Sequence, residues 1–151
     1  MSAMVLILDQ CSKLVADSLL QFNQPVVLLP FLALNKVYNS GAAFSFLSDA
    51  SGWQRWFFVG LTLLVSLVLV VWLRRLPAGQ PRLALALSLV LGGALGNLID
   101  RVMYGYVIDF IDLYYGTWHW PVFNLADSAI TLGAALLVLD TLMSREIIPD
   151  R

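Results

Sequence analysis

The sequence predicts an all-α integral membrane protein, a bundle of four transmembrane helices with a small extracytoplasmic β-cradle and an interfacial helix or loop. Three observations support this fold class. First, 60% of the 151 residues are hydrophobic and 13% are charged, whereas soluble domains are about 25% charged. Second, the uncharged runs 56–73 and 83–99 are each long enough to cross a bilayer. Third, the arginines between these runs indicate which loops are cytoplasmic.

The same composition excludes several classes of protein. A water-soluble enzyme of this length needs more polar surface than the sequence provides. A net charge of −1 with nine Lys and Arg is too small for a nucleic-acid surface. Cys11 is the only cysteine and His119 the only histidine, so neither an internal disulfide nor a cysteine or multi-histidine metal site is possible. We therefore expect no metal, no cofactor and no nucleic-acid partner.

The first elements of the expected single domain, 1–151, are a helix and a small sheet. The first transmembrane helix covers about 1–20, and it lacks the basic start and the cleavage site of a secretory signal peptide. The β-cradle covers about 23–52. Its central part is too apolar for a solvated loop and is interrupted by Pro25 and Pro30, which favours short strands on the membrane surface.

The remaining elements are three helices and an aromatic connection. The second, third and fourth transmembrane helices cover about 55–74, 82–100 and 124–144. Gly92 and Gly96 form a G-x-x-x-G step in the third of the four helices, which allows another helix to approach closely. Residues of about 103–121 form the interfacial segment, because eight aromatic side chains within 104–123 are typical of the headgroup level.

The arginine-rich connection sets the expected orientation. Residues 74–82 carry three arginines and no acid, which is typical of a cytoplasmic loop. Both termini are then cytoplasmic, and 21–54 and 100–126 lie on the other side. The second of these segments contains one arginine and three aspartates, in agreement with this orientation.

Five aspartates lie within or beside the expected spans: Asp9, Asp100, Asp109, Asp112 and Asp127. A carboxylate at membrane depth costs about 2.5–3.5 kcal/mol, so each needs a partner or a function. Asp9 can pair with Lys13 one turn away. Asp100 is followed by Arg101, which favours a local salt bridge or a helix-end role.

Asp127 and Asp109 are the remaining candidates for chemistry. Asn124 as N-cap and Asp127 at the third helical position would also be an ordinary helix start. Asp109 lies between apolar residues without a basic residue within seven positions. If the two carboxyl groups meet, they share one proton, as in aspartic peptidases. Spacing alone does not choose between Asp109 and Asp112, which share a face at i, i+3.

Five short motifs, in this order and with this topology, resemble those of the lipoprotein signal peptidases, the type II signal peptidases of bacterial inner membranes. They cover almost the whole chain. The motifs are DQCSK at 9–13, NSGAAF at 39–44, GALGNLIDR at 93–101, VIDF at 107–110 and FNLADS at 123–128.

The resemblance implies specific roles for residues of these motifs. It implies that Asp109, rather than Asp112, forms the catalytic pair with Asp127. It implies a substrate site formed by Asn39, Gly41, Asn97, Arg101 and Asn124. It also implies that Asp9 and Lys13 support the first helix and the β-cradle, to which Asp100 adds a structural contact.

The resemblance further implies an aspartic endopeptidase that removes the signal peptide from diacylglyceryl-modified prolipoproteins, just before the lipidated cysteine. Membrane lipids and cyclic peptide inhibitors of the globomycin type are then expected partners, and a monomer is the expected state. The active site would lie near the extracytoplasmic face of the inner membrane. The alternatives are a small four-helix proton-coupled transporter or channel, which favours acids at the midplane and an internal repeat, and a structural subunit.

Overall fold

The computed structural model describes residues 1–41 and 52–145. These residues form four helices and a four-stranded antiparallel sheet. In chain order the elements are α1 (Ser2–Leu19), β1 (Val26–Leu29), β2 (Leu32–Asn39), α2 (Trp53–Arg75), α3 (Pro81–Met103), β3 (Val107–Tyr115), β4 (Trp118–His119) and α4 (Leu125–Arg145). The predicted residues 42–44 of the NSGAAF motif, and the end of the predicted β-cradle, lie outside the described residues.

Helix α3 is the centre of the bundle and packs against α1, α2 and α4. Glycines make this close packing possible. A Cβ atom at Gly96 would collide with the Asp9 carboxylate of α1, and one at Gly93 would collide with the Ala126 carbonyl of α4. The predicted step of Gly92 and Gly96 therefore lies against α1, since a Cβ atom at Gly92 would meet Val5, and the neighbouring Gly93 lies against α4.

Three helices in the described part of the chain are long and apolar enough to cross a membrane. They are Trp53–Arg75, Pro81–Met103 and Leu125–Met143, with mean hydropathies of 2.5, 1.8 and 1.6. The remaining helix, α1, carries Asp9, Lys13 and Asp17, which lowers its mean hydropathy. The apolar surface of α2 is largely exposed, as expected for a helix that faces lipid.

The sheet lies at the end of the bundle where α1 ends and α4 begins. Its strand order is β1-β2-β3-β4, and β2 pairs with β3 so that Val37 lies opposite Asp109 and Asn39 opposite Val107. The Arg55 guanidinium donates to the Val102 carbonyl at 2.7 Å, which places the start of α2 beside the end of α3. The sheet thus sits over one end of the bundle.

The sheet corrects the predicted interfacial helix or loop at 103–121. Most of this segment forms β3 and β4, so the protein is not all-α. The β-branched and aromatic residues Val107, Ile108, Phe110 and Ile111 favour an extended chain, and β2 supplies the hydrogen-bond partners. The predicted shared face of Asp109 and Asp112 is also wrong, because residues three apart on a strand point to opposite faces.

Candidate active site

Strand β3 places Asp109 in the interior, where the residue is 1% exposed. Two amide groups donate to it: Asn39 Nδ2 to Oδ2 at 3.1 Å and Asn124 Nδ2 to Oδ1 at 2.6 Å. Burial, together with the negative charge of Asp127, raises the pKa of Asp109 to about 7 from an ordinary value of 3.8. The protonated form of Asp109 is therefore favoured relative to that of an ordinary aspartate.

Helix α4 places Asp127 in its first turn, where it closes a reciprocal cap with Asn124. The Asp127 N–H donates to Asn124 Oδ1 at 3.0 Å, and the Asn124 N–H donates to Asp127 Oδ2 at 3.3 Å. The ordinary helix start considered for this pair is thus present. The other carboxylate oxygen, Oδ1, accepts a hydrogen bond from Asn97 Nδ2 at 2.8 Å, so the cap uses only part of the carboxylate.

Asn124 connects the two acids. Its side chain donates to Asp109, and its main-chain N–H and side-chain oxygen bind Asp127. Its Nδ2 also lies 3.1 Å from Asn97 Oδ1. The predicted residues Asn97 and Asn124 therefore meet between the carboxyl groups, and Asn39 reaches Asp109 from β2.

Arg101 and Gly41 form the neighbouring part of the predicted substrate site. Arg101 Nη2 donates to the Gly41 carbonyl at 2.8 Å, and Nη1 donates to the Asn97 carbonyl at 3.4 Å. The guanidinium carbon lies 5.2 Å from the centre of the Phe58 ring, within the range of a cation–π contact. The Gly41 N–H donates to Asn39 Oδ1 at 3.0 Å, so Arg101 connects α3 to the end of β2.

The three predicted supporting residues form one buried ionic cluster. Lys13 Nζ lies 2.9 Å from Asp9 Oδ2, as predicted, and 2.9 Å from Asp100 Oδ2. Asp100 therefore pairs with Lys13 rather than with Arg101, because adjacent helical residues point in different directions. Asp9 Oδ1 accepts the Ala126 N–H at 2.9 Å, and Asp100 accepts the Ile108 N–H at 3.2 Å. The cluster joins α1, α3, α4 and β3.

Asp112 lies away from the acid pair. Its carboxylate contacts His119 Nδ1 at 2.9 Å, and the His119 ring stacks on Tyr114. The strand therefore puts Asp109 and Asp112 on opposite faces, a distinction that their spacing in the sequence alone could not make.

Asp109 and Asp127 line the same cavity, whose volume is about 640 Å³. The cavity continues along α4 past Thr131 to Ala135, and its wall is mainly apolar. The lining residues are Asn39, Asp109, Leu113, Trp120, Pro121, Val122, Phe123, Asp127, Ser128, Ile130, Thr131, Leu132 and Ala135.

Sequence reasoning missed the part of this wall that α4 forms. Thr131 and Ala135 follow Asp127 at i+4 and i+8, so helical periodicity from Asp127 could have identified them. Among the described residues, no group of three or more His, Cys, Asp or Glu is arranged to hold a metal ion. A protonated and an ionised carboxyl group at the end of an apolar groove can act as acid and base on an amide bond.

Comparisons with known proteins find relatives over most of the chain. A family model described as signal peptidase (SPase) II matches residues 1–143. A lipoprotein signal peptidase from Acinetobacter baumannii is 55% identical over 141 residues, which cover 93% of this chain and 80% of the relative. Another from Pseudomonas fluorescens is 53% identical over 148 residues, covering 97% and 87%.

Two solved bacterial membrane enzymes have a similar fold. The first superposes with a TM-score of 0.88 and 31% identity, over 99% of this chain and 90% of the other. The second gives a TM-score of 0.82 and 33% identity, over 93% and 89%. The likeness thus extends to the arrangement of helices and sheet.

Proposed function

This chain belongs to the signal peptidase II family, and from that premise we propose that it removes the signal peptides of prolipoproteins with Asp109 and Asp127 as its catalytic pair. It is a peptidase of the aspartic type, as others in its family are. The observation that supports the assignment of the pair is geometric. Carboxyl groups from β3 and α4 line one cavity, and Asn124 binds both.

The two acids take different roles in the proposed reaction. Asp109 carries the proton, because its buried position disfavours the charged form. Asp127 is the base, because the pair shares one proton and Asp109 holds it; N–H groups of Asn97 and Asn124 donate to the Asp127 oxygens. Asp127 takes a proton from water, the water oxygen attacks the scissile carbonyl carbon, and Asp109 gives its proton to the carbonyl oxygen. Asp127 then gives the proton that it took from water to the amide nitrogen, a hydroxyl group of the tetrahedral intermediate returns a proton to Asp109, and the C–N bond breaks.

The neighbouring polar residues orient the scissile bond in this proposal. Asn39 lines the cavity beside Asp109. Asn97 and Asn124 hold the carboxyl groups, while Arg101, which the Gly41 carbonyl holds in place, supplies N–H donors for peptide carbonyls. Holding the amide bond in place between the two acids lowers the entropic cost of reaching the transition state.

The apolar groove along α4 is the proposed position of the substrate. An apolar signal helix can enter laterally from the membrane and lie against Ile130, Leu132 and Ala135. The diacylglyceryl chains then remain in lipid, and the bond just before the modified cysteine reaches the acids. Water reaches the two acids from the end of the bundle that carries the sheet. Globomycin-type cyclic peptides would occupy the same cavity.

We propose that α1 is the fourth transmembrane helix of a single domain, 1–151. Its two central charges are buried, with side-chain exposures of 0% for Asp9 and 2% for Lys13. Ile7, Leu8 and Leu14 point outward and are more than half exposed. The charges of α1 therefore face protein, and its apolar side chains face lipid.

We propose that the end with the connection between α2 and α3 is cytoplasmic, because this connection carries three arginines and no acid. Both termini are then cytoplasmic, and the sheet and the acid pair lie near the extracytoplasmic face of the bacterial inner membrane. A monomer is proposed because substrate enters laterally. The comparisons do not favour the alternative of a proton-coupled transporter or channel.

The direct test of this function is cleavage of a synthetic lipopeptide by the purified protein in proteoliposomes. Mass spectrometry should find a single cut, just before the diacylglyceryl-modified cysteine, and globomycin should block it. The matched control is the same peptide with an unmodified cysteine, which should remain intact. Equal cleavage of both peptides, or a cut elsewhere, would contradict the proposed substrate.

A further inference from the structure

The ammonium group of Lys13 lies inside the bundle and donates to three oxygens. Two belong to Asp9 and Asp100, each at 2.9 Å. The third is Asn97 Oδ1, at 2.8 Å. An ammonium group has three N–H bonds and no acceptor, so these contacts use its whole capacity. Lys13 could balance the charges of the two carboxylates without also donating to Asn97.

That contact determines which way the Asn97 amide points. Its oxygen accepts from Lys13 and from Asn124 Nδ2, at 2.8 and 3.1 Å, and its nitrogen donates to Asp127 Oδ1 at 2.8 Å. The amide oxygen and nitrogen are similar in size, so packing alone does not choose between the two orientations. Half a turn of the amide would place its NH₂ group against two donors and its oxygen against a carboxylate.

We propose that Lys13 is a positioning residue for the acid pair and acts through Asn97. By binding Asn97 Oδ1, it keeps Nδ2 donating to Asp127, so that Asp127 remains the base and Asp109 the acid. This inference rests on the proposed function, since it concerns the same pair. The charged groups around the amide are Asp9 and Lys13 from α1, Asp100 and Arg101 from α3, Asp109 from β3 and Asp127 from α4.

The positive charge of Lys13 also reaches Asp109. It lowers the pKa of Asp109, against the larger effects of burial and of the Asp127 charge. Removing the charge should therefore raise the pKa of Asp109 further. A residue that only supports the fold would leave the pH dependence of the reaction unchanged, and the comparison with Asn97→Ala tests whether Lys13 acts through Asn97.

Gln10 provides a matched control within the same cluster. Its Nε2 donates to Asp100 Oδ1 at 2.8 Å, to Asp9 Oδ2 at 3.3 Å and to the Gly96 carbonyl at 3.2 Å. Its described contacts do not include Asn97. Gln10→Met therefore perturbs the same carboxylates without changing the amide that faces Asp127.

The experiment compares Lys13→Met, Gln10→Met and the unmodified protein in proteoliposomes, with a fluorogenic diacylglyceryl lipopeptide. Lys13→Met should lower kcat about ten- to a hundredfold, the size expected for a lost hydrogen bond to a charged group. KM should change little, and the alkaline limb of the kcat profile should move to higher pH. Gln10→Met should lower thermal stability and keep the pH profile. In a protein that already carries Asn97→Ala, Lys13→Met should lower kcat little further.

The charge-balanced variant Asp9→Asn/Lys13→Met removes one charge of each sign and repeats the test if Lys13→Met does not accumulate. The proposal is overturned if Lys13→Met keeps the original pH profile, or if the loss of kcat in either variant that lacks Lys13 multiplies with the loss in Asn97→Ala. Failure of the proposed function would instead appear as no lipopeptide cleavage by the unmodified protein. The two failures are therefore distinguishable.

Discussion

Replacing Asp109 with asparagine should stabilise the folded protein at neutral and alkaline pH. Burial and the charge of Asp127 raise the pKa of Asp109 to about 7, from an ordinary value of 3.8. Between these values the folded protein binds this proton while the unfolded chain releases it. The free energy of unfolding therefore decreases as pH rises through this window. Asparagine is neutral at every pH and resembles the protonated acid in shape.

The expected gain in stability follows from the size of the pKa shift of Asp109. One pKa unit corresponds to about 1.4 kcal/mol, so a shift from 3.8 to about 7 costs about 4 kcal/mol once the carboxyl group is ionised. The amide nitrogen of the variant cannot accept one of the hydrogen bonds that Asn39 and Asn124 donate. This loss reduces the gain in stability by about 1 kcal/mol. We expect a net gain of about 3 kcal/mol at pH 8 and none at pH 4.

The measurement is thermal or denaturant unfolding in detergent micelles at several pH values from 4 to 8. Asp112→Asn is the matched control, because Asp112 is also buried on β3 but contacts His119. That variant loses a partner and should not gain stability. A difference between Asp109→Asn and the unmodified protein that does not grow with pH would refute the assigned burial energetics.

Three further predictions concern activity and packing. If Asp109 acts as the acid, kcat/KM should fall about tenfold per unit above about pH 7; a profile that stays flat to pH 9 would contradict that role. Gly96→Ala should lower stability by about 1–3 kcal/mol because its Cβ would meet the Asp9 carboxylate. Gly60→Ala in α2, where nothing lies within 4 Å of the added atom, should be tolerated, so equal unfolding of the two variants would contradict the packing. EDTA should leave cleavage unchanged, since two carboxyl groups supply the chemistry. Loss of activity that a divalent ion restores would argue for a metal.

The helices were predictable because lipid imposes a simple composition on them. The uncharged run that begins at Trp56 predicted α2 at about 55–74, and the structure has it at Trp53–Arg75. The run that begins at Leu83 predicted α3 at about 82–100, against Pro81–Met103. Helix ends are less certain because flanking polar residues continue the helix without changing the hydrophobic pattern.

The strand β3 was missed for a physical reason. Its aromatic residues also suit the membrane interface, and that explanation concealed the preference of Val107, Ile108 and Ile111 for an extended chain. The same error put Asp109 and Asp112 on one face. Pairing with β2 gives β3 its hydrogen bonds, and a partner about seventy residues away in sequence leaves no local signal.

The site was predictable only in part. A capping pattern pointed to Asn124 and Asp127, and a short ion-pair spacing pointed to Asp9 and Lys13. The contact of Lys13 with Asn97 depends on how α1 packs against α3. No spacing within either helix specifies it, because it is a property of the assembled bundle.

The most direct test of the central claim is single-turnover cleavage of the diacylglyceryl lipopeptide by Asp109→Asn and Asp127→Asn. Both variants should reconstitute into membranes, and cleavage by each should fall at least about a thousandfold, because each lacks one half of the acid–base pair. Substantial turnover by both folded variants would contradict the assignment of Asp109 and Asp127 as the catalytic residues.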